Sequence, residues 1–339
     1  MSGEDSNRVN RNPRNIQGLL RIAAENTDQD SQADPNRSYA AMSQERREFL
    51  ANAVSSLTSD VQVMKECLKV VVDSTEEISK QVNAIENIAE IVENLDSAND
   101  FVKIGGLSVI TPILKNNKDI YCELRWQTAD LFAVILQNNP FCQEAALNEK
   151  NQEILPLLLT CLKSEENPMV RIKCLHAISC FIRGNVEAQK KFLEADGLSF
   201  LIKAIQSDNE KLRIKSCFLI TYLCEENSSV KDILSDMGII ELLINLLHMG
   251  QNNLDEHLLS AILSTVNNHE QNRNECTRSE LDLKRILIAK IESLKDKEEN
   301  MVFELHSHKF NFFPQEEFDY SKTLLNLCFP VSNNDGTER

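Results

Sequence analysis

Residues 170–185 read VRIKCLHAISCFIRGN, and residues 212–227 read LRIKSCFLITYLCEEN. Each sets an apolar residue before Arg-Ile-Lys, continues through a small residue into an apolar ladder, and closes at Asn. They begin 212 − 170 = 42 residues apart. Looser copies start at Leu124 (LRWQTADLFAVILQNN) and Leu254 (LDEHLLSAILSTVNNH), so successive starts lie 46, 42 and 42 residues apart. An earlier segment from Gln81, QVNAIENIAEIVENL, aligns by its Ala-apolar ladder and its Glu-Asn ending, which makes about five units.

A shorter apolar piece precedes the long one. FLEADGLSFLIKAIQSDNE from Phe192 and ILSDMGIIELLINLLH from Ile233 run an acidic turn into Gly197 or Gly238 and then a helix. FVKIGGLSVITPILK from Phe101 does so through Gly105 and Gly106. Glycine there permits a left-handed turn between helices that meet sharply. Ser207 with Glu210, and Ser74 with Glu77, read as capping boxes. A period of roughly 40 to 47 residues with two or three helices per unit is the signature of armadillo or HEAT arrays. The expected fold is all-α, an armadillo-like helical solenoid in which stacking supplies the core that no unit can bury alone. Residues 42–299 would form it, with a flexible arm at 1–41, an atypical Phe-rich insert at 300–315, and a C-terminal helix and tail at 316–339.

Composition agrees. Only 9 Gly and 8 Pro in 339 residues suit long helices better than a many-turned sheet. The formal charge of −16 argues against nucleic acid or an anionic membrane as partner, since either needs a basic face. No stretch approaches the roughly 18 to 20 apolar residues of a membrane helix, and the first twenty residues hold no apolar signal region. The ten cysteines are scattered, with no CxxC, and most sit in apolar ladders. They read as buried free thiols of a cytoplasmic, reducing compartment.

In the unit from Val170, Leu175, Ile178 and Ile182 take core spacing, whereas Lys173, His176 and Cys180 fall on another stripe. The equivalent stripes are Asn83, Glu86 and Glu90; Gln127, Asp130 and Val134; Lys215, Phe218 and Tyr222; His257, Ser260 and Ser264. Stacked in parallel they would line a concave surface, acidic at its N-terminal end and basic with aromatics further along. A solvated helix face is the plain alternative. Phe218 and Tyr222 tilt the balance, because neighbouring aromatics on an exposed stripe favour a protein partner.

Catalytic motifs are missing: the chain has no GxxxxGK[ST], GxGxxG or HExxH, and no nucleophile elbow. His306 and His308 lack thiols or carboxylates in ligand spacing, so neither a metal nor another cofactor is expected. Trp126, the single tryptophan, reads as core by default, with a cation–π contact as the alternative. The N-terminal arm sets Arg11, Arg14 and Arg21 around Ile16, Leu19, Leu20 and Ile22. A solvated tail has no need of four large apolar residues close together; a chaperone's peptide groove accepts such a stretch.

These segments, with PRNIQGLLRIA, MSQERREFL, ENLDSANDF and QNNPFCQE, carry a resemblance over residues 12 to 300. The chain resembles the armadillo-type nucleotide exchange factors of heat shock protein 70. The resemblance implies a monomeric, non-enzymatic co-chaperone that grips the chaperone's ATPase domain in its concave face and promotes ADP release. It implies that the Ile16–Ile22 stretch acts as a pseudo-substrate in the chaperone's peptide groove. Family contact positions fall on Ala98, in the Asn-Leu-Asp-Ser-Ala-Asn segment that ends at Asn99, and on Lys215. NMVFELHSHKFNFFPQ, residues 300–315, departs from the pattern by interrupting what should be a continuous acidic C-terminal helix. It is either an insertion or untranslated sequence read through. A general armadillo scaffold for an extended peptide is the rival, disfavoured because the stripe Asp130, His176, Phe218 and Ser260 holds no Trp ladder.

Overall fold

Each long ladder of the sequence becomes a helix because its apolar residues recur at three- and four-residue spacing, and several helices start where an asparagine can serve their free N–H groups. The computed structural model describes residues 59–330 except 117, 149–150, 152, 251 and 305–313. The arm at 1–41, with Ile16, Leu19, Leu20 and Ile22, lies outside the described residues, as do His306 and His308. Among the described residues every regular element is a helix.

The chain divides into two compact units, Met1–Pro112 and Ile113–Arg339. In the first, α1 (Asp60–Val72), α2 (Ile78–Val92), α3 (Leu95–Lys103) and α4 (Gly106–Ile110) pack around Met64, Ile85, Ile88 and Phe101. The second opens on α5 (Cys122–Leu136) and then repeats a triplet. Its first helices are α6 (Pro140–Leu147), α9 (Val186–Glu194), α12 (Ser228–Asp236) and α15 (Glu270–Cys276). Its second helices are α7 (Ile154–Ser164), α10 (Gly197–Ile205), α13 (Ile239–His248) and α16 (Leu283–Glu304). Its third helices are α8 (Pro168–Ile182), α11 (Glu210–Glu226), α14 (Asn252–Val266) and α17 (Gln315–Cys328). The third helices stack in chain order, α5 on α8, α8 on α11, α11 on α14, and α14 on α17. Leu175, Ile178 and Ile182 are buried as their spacing requires.

The capping boxes do not form. Asn209 caps α11, accepting from the Leu212 N–H, while the Ser207 hydroxyl donates to the Ala204 carbonyl at the end of α10. Glu77 itself occupies the cap of α2, with no side-chain bond. Asparagine at the boundary wins because its carboxamide reaches the N–H two or three residues on. Asn94, Asn139, Asn167, Asn185 and Asn227 do the same at α3, α6, α8, α9 and α12.

The glycines divide between two duties. Gly105 and Gly238 take positive φ, 83° and 73°. Before α10, however, Asp196 holds the left-handed turn at φ 60°, and Gly197 is already helical. A Cβ on Gly197 would lie 2.4 Å from the Phe192 ring, and one on Gly106 as close to the Phe101 ring. These two glycines let a preceding phenylalanine lie flush on the helix start.

Triplets are joined by a buried polar side chain near the start of each first helix. Gln143 Nε2 donates to the carbonyls of Leu136 (3.2 Å), Cys180 (2.9 Å) and Arg183 (3.0 Å), so one amide bridges the ends of α5 and α8. Gln189 donates to Ile182 O and to Tyr222 Oη, both at 3.2 Å. Lys231 donates to Asn267 O at 2.7 Å and Asn272 to Thr265 O at 3.0 Å. The first unit uses the same device: Gln81 donates to Val71 O and Asp73 O.

The C-terminal region is two helices, not one. α17 packs on α14 and α16 as a final third helix, so the Phe-rich stretch joins a second helix to a third instead of breaking a rod. Charge holds α14 to α16 and α17. Where earlier units place Arg171 on Leu162 O and Arg213 on Ser207 O, the fourth places Asp255, 1% exposed and bonded to Lys290 Nζ at 2.5 Å. Lys290 also meets Glu317 of α17 at 3.0 Å.

Gln143→Leu removes the donor from three carbonyls, those of Leu136 and Cys180 buried and that of Arg183 part-buried. It is expected to lower the unfolding free energy by about 2 kcal/mol in chemical denaturation. An unchanged midpoint at unchanged slope would show that the bridge contributes nothing.

Candidate functional site

The third helices of the second unit bury one stripe and present another. On α5 and α8, Lys173 Nζ donates to Asp130 Oδ2 at 2.8 Å, and His176 Nδ1 stands 3.7 Å from Asp130 Oδ1. The hydrogen-bonding partnership with Asp130, helped by one with Cys180, raises the His176 imidazole to a pKa of about 9. Lys215 of α11 opposes that shift by repulsion. Asp130 is held below the usual carboxylate range, because bonds from His176 and Lys173 outweigh the burial that pushes it up. The cluster is therefore an imidazolium and an ammonium, Lys173, on one carboxylate, with the Lys215 ammonium facing the imidazolium.

Aromatic groups continue the row. Phe218, 51% exposed, sets its ring 4.6 Å from the His257 ring. The Arg183 guanidinium lies 4.4 Å over the Tyr222 ring, and Tyr222 Oη accepts from the Gly184 N–H at 2.8 Å. Burial lowers the His257 pKa, against the upward pull of Glu316 on α17. Glu316 and Glu256 hydrogen-bond to each other, and burial together with that bond raises Glu256. The row thus runs from a cationic cluster through aromatics to an acidic end.

Of the expected contact residues, Asp130, Lys173, His176, Lys215, Phe218, Tyr222 and His257 come together here. Glu86 and Glu90 are exposed on α2 of the first unit, and Asn99 is half-buried on α3. Ala98 requires a correction: it is 2% exposed, facing the interior of the first unit, so Ala98→Arg would overpack a core and is no test of binding. The accessible apolar residue of that segment is Leu95. Cys180 and Ser264, the last positions of their stripes, are buried because a three- and four-residue spacing drifts around the helix until the neighbour covers it.

Trp126 is not core. It is half-buried, with Lys173 Nζ 5.8 Å over its ring, so the cation–π alternative holds, with Lys173 in place of Arg125. Sequence reasoning also missed Arg183 and Glu316. Arg183 stands at the helix end just before Gly184, within reach of the next unit's aromatic, which was the available signal; Glu316 lies past the Phe-rich stretch and had none. Among the described residues no three His, Cys, Asp or Glu side chains converge as a cation site, and no helix is long and apolar enough to cross a membrane.

Comparison with known proteins adds to this geometry. The SIL1/FES1/HPBP1 C-terminal domain matches residues 97–238, and the nucleotide exchange factor Fes1 family matches residues 16–101. The chain is 31% identical to mouse Hsp70-binding protein 1, over 97% of this chain and 90% of that protein. The chain belongs to the SIL1/FES1/HPBP1 family. It is also 28% identical to the Hsp70 nucleotide exchange factor FES1 of Candida glabrata, over 70% of this chain and 81% of that one. A designed armadillo repeat protein matches with a TM-score of 0.59 at 16% identity, over 78% of this chain and 99% of its own; the fold is armadillo-like.

The His176–Asp130 contact has a definite pH dependence. Its histidine part is fully present below the ordinary 6.5 and is lost as pH rises through about 9. Its aspartate part is present above the ordinary 3.8 and is lost as pH falls through the lowered value. Asp130→Asn should return the His176 titration, followed by NMR, toward 6.5; a value still near 9 would assign the shift elsewhere.

Proposed function

We propose that this chain is a co-chaperone, a nucleotide exchange factor that binds the ATPase domain of heat shock protein 70 through the third-helix row of its second unit. The observation that carries this reading is the 31% identity along 97% of the chain to a protein named for binding Hsp70. The row supports it physically: Phe218 remains half in water although the core has no use for it there. Exposed aromatics flanked by paired charges are the composition of a protein-binding centre.

The activity is a population shift and needs no catalytic group. A factor that binds the open nucleotide cleft better than the closed one moves the equilibrium by that difference alone. ADP, which favours the closed cleft, weakens the factor's binding by the same factor. The free thiols fit the cytoplasm, a reducing compartment. In this reading residues 16–22 compete for the chaperone's peptide groove, tethered there at about millimolar effective concentration once the second unit is docked.

Lys215→Glu and Phe218→Ala, both at accessible positions, are each expected to reduce the acceleration of ADP release from the chaperone at least about tenfold with little change in melting temperature. Acceleration equal to that of the parent chain in both variants would refute the row as the contact surface. Deleting residues 1–41, or making Leu19→Asp with Leu20→Asp, should leave ADP release nearly unchanged and slow the net loss of labelled peptide. Peptide loss at the parent rate would reduce the arm to a solvated tail.

A further inference from the structure

On the side of α8 away from the row, a buried cation faces a thiol. Arg125 of α5 is 3% exposed and is paired with the buried Glu165 that follows α7. Its Nη2 also lies 3.7 Å from Cys161 Sγ, while its Nε and Nη1 find no hydrogen-bond partner. Cys174 of α8 hydrogen-bonds to the same sulfur. Arginine at this place in the next two units reaches a helix-end carbonyl instead: Arg171 that of Leu162, and Arg213 that of Ser207.

We propose that Cys161 and Cys174 form a peroxide-reactive thiol pair, in which Cys161 is the attacking sulfur and Cys174 the resolving one. A thiolate at Cys161 gains a donated hydrogen bond from Cys174 and the charge of Arg125, and gives up the 3.6 Å bond from its thiol to Leu114 O. These interactions lower the Cys161 pKa and raise that of Cys174, whose proton is held in the shared bond. Cys217 and Cys224 have no thiol partner of this kind, and burial pushes each up to about 12. Reactivity follows thiolate character, so the pair stands apart from Cys217 and Cys224; the other thiol of this kind is Cys328, lowered by its bond from Cys276 and by Arg273.

Access is short. An open cleft lined by Lys115, Glu153, Pro156, Leu157 and Thr160 lies along α7. Thr160 precedes Cys161 in the chain, and Lys115 follows Leu114, whose carbonyl touches the sulfur. With so little of Cys161 exposed, a small, uncharged hydroperoxide is the oxidant class that the proposal names.

The chemistry balances. The Cys161 thiolate attacks the nearer peroxide oxygen; the S–O bond forms, the O–O bond breaks, and the departing alkoxide or hydroxide takes up a proton. Sulfur is oxidised to the sulfenic acid and the peroxide reduced. Loss of the thiolate removes the main cause that raised Cys174, leaving burial and Glu165 to hold it up against Arg125. The Cys174 sulfur then attacks Cys161; the S–S bond forms, the S–O bond breaks, and hydroxide leaves with the Cys174 proton as water. The bond would tie α7 to α8 one residue after Lys173, on the helix that carries the cationic cluster.

The test treats the full reduced chain with hydrogen peroxide at pH 7, traps sulfenic acid with dimedone, blocks remaining thiols and maps peptides by mass. A Cys161–Cys174 disulfide is expected, formed at least about tenfold faster than oxidation at Cys217 or Cys224. In Cys174→Ser the dimedone adduct should accumulate on Cys161. Arg125→Lys should retain part of the rate and Arg125→Met lose most of it. Should neither variant fold, the rate ratio within the parent chain still decides. A first disulfide at Cys276 and Cys328, or Cys161 reacting no faster than Cys217, or no adduct in Cys174→Ser, would each overturn the proposal.

Discussion

The fold rests on a problem at the end of every long helix. A helix leaves its last carbonyls without partners, and where another helix packs over that end, water cannot supply them. Gln143, Gln189, Lys231 and Asn272 meet this need from one turn inside the following first helix, each nearly buried. Because Gln143 and Gln189 also reach the third helix of their own triplet, the same bonds fix the register of that helix on the preceding third helix. Apolar packing alone tolerates sliding; a carbonyl that must meet one particular amide does not. The third-helix stripes line up as a result, and the candidate row exists only because they do.

Charge is distributed by the same logic. The exposed pairs on helix surfaces, such as Lys80 with Glu76, contribute little. The buried ones carry specificity: Arg125 with Glu165 inside the second unit, and Lys290 between Asp255 and Glu317 at its end. Truncating one partner of such a pair leaves the other charge stranded away from water, which costs far more than the pair itself contributes. The substitution of Asp255 for the arginine of earlier units converts a helix-end bond into an ionic clasp that holds α16 and α17 together.

The repeat, its period and its core stripe were legible in the sequence because Arg-Ile-Lys and the apolar ladders repeat side-chain chemistry. So was most of the row, since Lys173, His176, Lys215, Phe218 and Tyr222 follow one helical phase. What escaped were choices between near-equivalent local partners. Ser207 and Asn209 both cap helices well, and only the course of the backbone decides between them. Gly197 and Asp196 compete for one left-handed position, and the Phe192 ring settles it. Ala98 and Trp126 exchanged expected environments because a single helix of mixed pattern does not reveal which side its neighbours cover. The interruption before α17 was legible as a Phe-rich stretch, but not that α17 packs back on α14 as a further third helix.

The junction bonds join residues far apart in the chain by a nearly constant interval. Gln143 waits for Cys180, 37 positions on, and Lys231 for Asn267, 36 positions on. During synthesis, the first helix of a triplet therefore emerges well before the third helix that carries the partner of its bridging side chain. Assembly of the second unit must trail translation by about one repeat, and the most recent triplet is always the least complete. Only α17, which ends the described part of the unit by closing on α14 and α16, is spared that wait.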